Sequence, residues 1–348
     1  MFYIHQTSCI SPQLDYKQIF NNQLKEPLEK KMLAIEPDYE GIPTSTLRRI
    51  GKVVRMGVGA AIPILKNKEN PNGIIIGTSN GGKEDCGKFL NQIIDYNEGL
   101  LTPINFVQST PNAVASIIAL LTNNHGYNIT HSQLGLSFEY AIIDVDMLLS
   151  DNPSFCYLLG AVDDISSLNY CFEEKDGWFK NEEISTKILY NTDSPGSIAG
   201  EGATMFWVNN TSNGAIAKLL AVEVSINENE LFIKEKLKEF INTHLPSGEK
   251  IDLFLTGENG DNRLTKYYSA CESILGNEVA IARFKHLFGE GPTAIAMGLG
   301  LCCEILRNQT IPSNMMKKNS LDSRYKNVIM YNNFKGIQHS FMFVSLPQ

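Results

Sequence analysis

NITHSQLGLSFEYAIIDVDMLL, residues 128–149, reads as a sharp strand-to-helix turn that runs into a helix over residues 138–149. A nucleophile belongs on such a turn. The free backbone N–H groups of a helix N-terminus lower a thiol pKa and stabilise an oxyanion. This turn holds no cysteine, and none lies closer than Cys156. The side chains that occupy it are Gln133, Gly135 and Ser137, with His125 and His131 on its flank.

Outward from this turn, strand-like and helix-like segments alternate. NGIIIGT (72–78) is a β-branched run bounded by glycine and asparagine, as a buried strand should be. A glycine turn at 79–82 leads to a helix over 85–95, and PNAVASIIALLTN (111–123) reads as a buried helix. CYLLGAV (156–162) is a further buried strand, and residues 166–195 form a polar, aromatic surface excursion. The pattern then resumes, with strands over 200–208, 215–226 and 251–256, helices over 230–243 and 293–307, and a closing hairpin over 328–346. Such alternation predicts an α/β fold with helices packed on a mostly parallel sheet. The two halves, 1–195 and 196–348, share an order of strand, glycine turn and helix, although no residue-level repeat is visible.

Composition narrows the function classes. The 348 residues are 43% hydrophobic and 20% charged, enough to bury a large core. A net charge of −8 without a broad basic stripe argues against nucleic acid as a partner. Arg48, Arg49, Lys52 and Arg55 form one local basic run, read equally as a docking patch for an acidic partner or as a solvated helix face. Seven scattered cysteines fit neither a disulfide framework nor a zinc site, and no segment reads as a signal peptide or a membrane span. The expected location is the cytoplasm. The sequence contains no phosphate loop, dinucleotide fingerprint or HExxH, so no cofactor and no metal is expected.

Several short segments, in order, resemble those of β-ketoacyl synthases. RRIGKVVRMGVGAA (49–61 with Arg48 before it) resembles the first helix of that family, and TSNGGKED (78–85) its first glycine turn. LLGAVDDIS (158–166) resembles the strand after the nucleophile helix, and GSIAGEGATMFWV (196–208) the GEGA strand. HLFGEGPTA (286–294) is similar to the GHxxGAAG helix start, and NNFKGIQHSFMFVSL (332–346) to the closing Asn-x-Phe-Gly-Gly hairpin. The fuller pattern resembles the short ketosynthase-like proteins of bacterial aryl polyene and flexirubin pathways. The resemblance implies a thiolase-like fold, two similar α/β halves in a five-layer αβαβα arrangement, assembled as a dimer.

It also implies where chemistry should be. Counting back from Ala141, the condensing cysteine falls on Gly135 or within a few residues of it. Gln133 invites comparison with chain-length factors, which resemble ketosynthases with glutamine in that place. Ser137 has two readings, a helix cap or an acyl-accepting nucleophile with His131, His286 or Glu258 as base. LTGENGDN (255–262) replaces the family's first histidine segment, with Gly257, Glu258 and Asn259 where that histidine would stand. His286 matches the second histidine. His339 and Phe334 of the closing hairpin are expected to line the same pocket. Gln108, Ser109, Thr110 and Asn112, within FVQSTPNAVASII (106–118), match the family's dimer interface. The implied function is a catalytically degenerate subunit that pairs with an active ketosynthase and shapes the acyl tunnel during elongation on acyl carrier protein. A homodimer is the other assembly considered. The alternative function is an acyltransferase or thioesterase-like enzyme on the same carrier.

Overall fold

The computed structural model describes residues 1–66, 68–99, 101–320 and 324–347. Its main sheet is built twice from one plan. In space, the first set runs Phe2–Ile10, Gly202–Asn209, Cys156–Asp163, Gly73–Gly77, Tyr127–His131. The second runs Ala217–Ile226, Gln338–Ser345, Asn327–Phe334, Leu253–Thr256, Ala280–Arg283. In each set the first two pairings are antiparallel and the last two parallel. The sets join edge to edge where Phe2–Ile4 pairs with Ala217–Leu219, and Met316–Lys318 adds a short outer strand. The duplication is therefore topological, which is why no residue-level repeat is visible.

Strand Gly202–Asn209 completes the first set, so the changeover lies between residues 209 and 217 and not at 195. The polar stretch suggested the earlier boundary, but the chain beyond it folds back antiparallel on the N-terminal strand before the second set begins. That stretch is also less of an excursion than its composition implies. It forms helix Ser167–Lys175 and then buries Phe179 and Lys180.

Strand alternation sorts the side chains into three cores. Ile74 and Ile76 face outward into a cluster with helices Lys52–Leu65 and Ala113–Thr122, whereas Ile75 faces inward. In the second set Leu253 and Leu255 face inward, and Phe254 faces helices Glu230–His244 and Thr265–Glu272. Helices Ser137–Asp151 and Ala294–Asn308 fill the central core between the two sets. The result is five layers, helix, sheet, helix, sheet, helix. Among the described residues no helix is long and apolar enough to cross a membrane.

Candidate functional site

Strand Tyr127–His131 leads into a single turn at Leu134–Leu136 before helix Ser137–Asp151 begins. The turn is strained. Leu134 adopts a φ of 53°, a left-handed conformation uncommon for leucine. Ser137 is fully buried; its Oγ donates to the Leu134 carbonyl at 2.7 Å and accepts from the Gln133 N–H at 2.9 Å. The hydroxyl thus ties the turn together and does not cap the helix, whose N-cap is Leu136 without a side-chain bond. The Gln133 side chain points to solvent, while its carbonyl accepts from Gln338 Nε2 at 3.2 Å. Gln338 Oε1 accepts from the Gly135 N–H at 2.8 Å, so the closing hairpin grips the turn from one side. Ser137→Ala is expected to lose about 1–2 kcal/mol in urea unfolding, from the unmade bonds to Gln133 and Leu134.

Gly135 lies against Phe334. A Cβ on Gly135 would fall 2.3 Å from both Cβ and Cγ of Phe334. No side chain fits there unless Phe334 moves, because real carbon contacts lie beyond 3 Å.

Beside Phe334 lies a charged cluster. Lys285, on the short helix Lys285–Phe288, is 0% exposed. Its Nζ donates to both Glu290 oxygens at 2.9 and 2.8 Å and to the Asn333 carbonyl at 3.2 Å. Asn259 Nδ2 donates to Glu290 Oε2 at 2.5 Å. Glu290 is set in place by its backbone, which exchanges bonds with Gly200 and Ile198 of the GEGA region. That approach needs Gly289, at φ 80°, where a Cβ would collide with the Gly200 backbone. Deeper in, Glu139 is fully buried and accepts from Ser340 Oγ at 2.5 Å; burial pushes its carboxyl up to about 7.

The histidines lie elsewhere. His286 Nδ1 sits 3.2 Å from the Tyr190 hydroxyl, and burial, then Arg283, pulls its pKa down to about 3. His339 is enclosed between the Tyr331 hydroxyl at 3.0 Å and the Asn227 carbonyl at 2.9 Å, with its pKa lowered by burial to about 4. His131 pairs with Asp144 at 3.0 Å on the strand's flank. Glu258 turns to Lys317 at 2.6 Å and Arg283 at 3.8 Å. A histidine kept neutral in the fold stabilises it above the unfolded pKa near 6.5, and that contribution declines as pH falls towards the folded value. The stability advantage of wild type over His286→Gln should therefore shrink by about 1.4 kcal/mol per pH unit between pH 6.5 and 4, measured by urea titration at each pH.

The structure brings Asn259, Glu290 and Phe334 together on one cleft, shared with Asn80, Asp164 and Ser166. Its free volume is about 30 Å³, room for a water or two and not for an acyl chain. Phe334 stands between this cleft and Gly135. Lys285, Glu290 and Asp164 were missed from sequence, although Lys285 and Glu290 bracket the histidine that drew attention. The signal was a lysine and a glutamate inside an otherwise apolar, glycine-bounded segment. Among the described residues no group of three or more His, Cys, Asp or Glu is arranged to hold a metal.

No protein-family model matches the sequence, and no curated protein is similar to it in sequence. Solved structures do match along the whole chain. The ishigamide ketosynthase/chain length factor is 13% identical, with 99% of this chain and 98% of that one covered and a TM-score of 0.78. A ketosynthase in complex with its chain length factor from Xenorhabdus doucetiae is 14% identical over 99% and 98%, with a TM-score of 0.76. A type II polyketide acyl-carrier protein in complex with its ketosynthase is 15% identical over 99% of each chain, with a TM-score of 0.74. The chain has the ketosynthase fold.

Within that ketosynthase fold, strand Tyr127–His131 is an edge, with no strand on its outer side among the described residues. Asn112 reaches it from the preceding helix region, accepting from Thr130 Oγ1 at 2.7 Å and donating to Asn128 Oδ1 at 3.1 Å. Gln108 is buried and spans the Gly51 N–H and the Arg49 carbonyl, both at 2.6 Å, and Ser109 Oγ bonds the Phe106 carbonyl. Thr110 is exposed. Leu120 and Met147, on the two helices packed against this strand, and Tyr127 on the strand itself are exposed. In the basic run, Lys52 and Arg55 are taken up by Glu201 and Glu36, which leaves Arg48 and Arg49 as the solvated part.

Proposed function

We propose that this chain is a non-condensing, chain-length-factor-like subunit. It pairs with an active ketosynthase and forms one wall of the tunnel that receives a chain growing on acyl carrier protein. The observation that carries this reading is the contact between Gly135 and Phe334. The turn that would present a nucleophile has no cysteine, and an aromatic ring fills the space a side chain would need. Ser137 supports the same reading, since its hydroxyl bonds Leu134 and Gln133 and no histidine or carboxylate. The neighbouring structures include a ketosynthase with its chain length factor and a ketosynthase with its carrier protein, which supports both partners. An aryl polyene or flexirubin-type polyene is the product class the sequence resemblance favours, made in the cytoplasm.

The unpaired edge Tyr127–His131 and its exposed apolar flanks form the surface for the partner, since an uncovered edge strand is a template for pairing. Leu120→Glu should weaken the complex by tenfold or more, as charge in an interface core does, with unfolding stability within about 0.5 kcal/mol of wild type. The functional test is reconstituted elongation with a cysteine-bearing ketosynthase encoded alongside this chain. The complete pair makes full-length product, and the ketosynthase without this chain makes little or none. An acyl adduct on this chain that disappears in Ser137→Ala would replace the subunit reading with an acyltransferase.

A further inference from the structure

Three acids line the cleft beside Phe334, and two of them are neutralised. Glu290 is paired with Lys285 at 2.8 Å, and Glu173 with Lys335 at 2.6 Å. Asp164 is not. It is 5% exposed, and among the described residues Oδ1 has no hydrogen-bond partner and no ion pair reaches its carboxyl. Lys52, a nearby cation that lowers its pKa, is held by Glu201. Ser166, 2% exposed and also on the cleft wall, has an Oγ without a partner. Buried polar atoms are ordinarily bonded, and an unpaired buried carboxyl is costly. Two such groups on one cleft wall mark a place for a ligand.

The missing group carries one positive charge and N–H donors, and it is small. Above its raised pKa, Asp164 is the one carboxylate of the three lining the cleft without a paired cation, and this sets the charge. An acceptor carboxylate next to a hydroxyl that can also accept calls for a multiple donor, which an ammonium provides. An –NH3⁺ head offers N–H donors to both acceptors, which a trimethylated head lacks. A metal ion is a poor fit, since no third His, Cys, Asp or Glu joins Asp164 in a coordinating group among the described residues. We propose that the Asp164–Ser166 corner binds the primary ammonium head of a small amine, a binding site separate from any acyl chemistry at the turn. Burial, and then Asp163 and Glu201, pushes the Asp164 carboxyl up to about 7, so an amine there would be bound together with release of that proton.

The test is isothermal titration of the full chain at pH 8 with n-butylammonium chloride, and with n-butyltrimethylammonium chloride at equal ionic strength. The two share a tail and a charge and differ in head size and donors. The expected result is saturable binding of n-butylammonium only, weakened tenfold or more in Asp164→Asn and several-fold in Ser166→Ala. Both variants remove a group without adding bulk, and circular dichroism shows whether each has folded. No heat with n-butylammonium, equal heats for both salts, or undiminished binding in folded Asp164→Asn would overturn the proposal. If Asp164→Asn does not fold, undiminished binding in Ser166→Ala overturns it.

Discussion

Lys285→Ala unfolds with a loss of about 3–5 kcal/mol, the range for breaking a buried ion pair from one side. Nζ is fully enclosed and bonds both Glu290 oxygens and the Asn333 carbonyl, so its removal strands a carboxylate that only Asn259 still serves. Replacing both partners by apolar residues of similar volume, Lys285→Met with Glu290→Leu, recovers most of that loss, because neither charge is then left in a dry site. Urea unfolding of the two single variants and the double variant measures this. A double variant as unstable as the sum of the singles would contradict it.

Phe334→Ala is the second large effect, a loss of about 3–5 kcal/mol for truncating a buried aromatic. The diagnostic result is the coupling of Phe334 to Gly135. Gly135→Cys alone forces a Cβ into the space held by the Phe334 ring, and such overpacking costs about 1–3 kcal/mol. In a Phe334→Gly background that cost falls away, because both the Cβ and the ring that a side chain on Gly135 would strike are gone. A double-mutant cycle should therefore show favourable coupling of about 1–3 kcal/mol between the two substitutions. Additivity would mean that the ring and the turn do not compete for one volume.

How much of this was legible in the sequence depends on which physics set each feature. The unbroken apolar runs at 74–76 and 253–255 exposed the buried strands, because a strand covered on both faces needs an apolar side chain at every position. The N-terminal strand Phe2–Ile10 was not seen, although it sits at the centre of the sheet and pairs with both Gly202–Asn209 and Ala217–Ile226. Its polar His5, Gln6 and Thr7 mask the pattern, and only the tertiary pairing reveals it. The turn without a cysteine was legible, since an absence needs no geometry. What fills it was not. Phe334 lies 199 residues from Gly135 and meets it only through the closing hairpin, whose Gln338 grips the turn. The charged cluster was hidden for a similar reason. Lys285 and Glu290 pair across one turn, but Asn259 joins them from a different strand end. Histidines draw attention in a sequence because they titrate near neutral pH. His286 and His339 are here sealed in and held neutral, and burial could not be read from their neighbours.

On the proposed function, this chain forms a catalytic complex without carrying the acyl group itself. Native mass spectrometry tests it directly, using the chain co-expressed with a cysteine-bearing ketosynthase encoded alongside it and then charged from acyl carrier protein. The expected result is a one-to-one complex with the acyl mass on the ketosynthase alone. A homodimer of this chain that ignores the ketosynthase, or an acyl group on this chain, would contradict it.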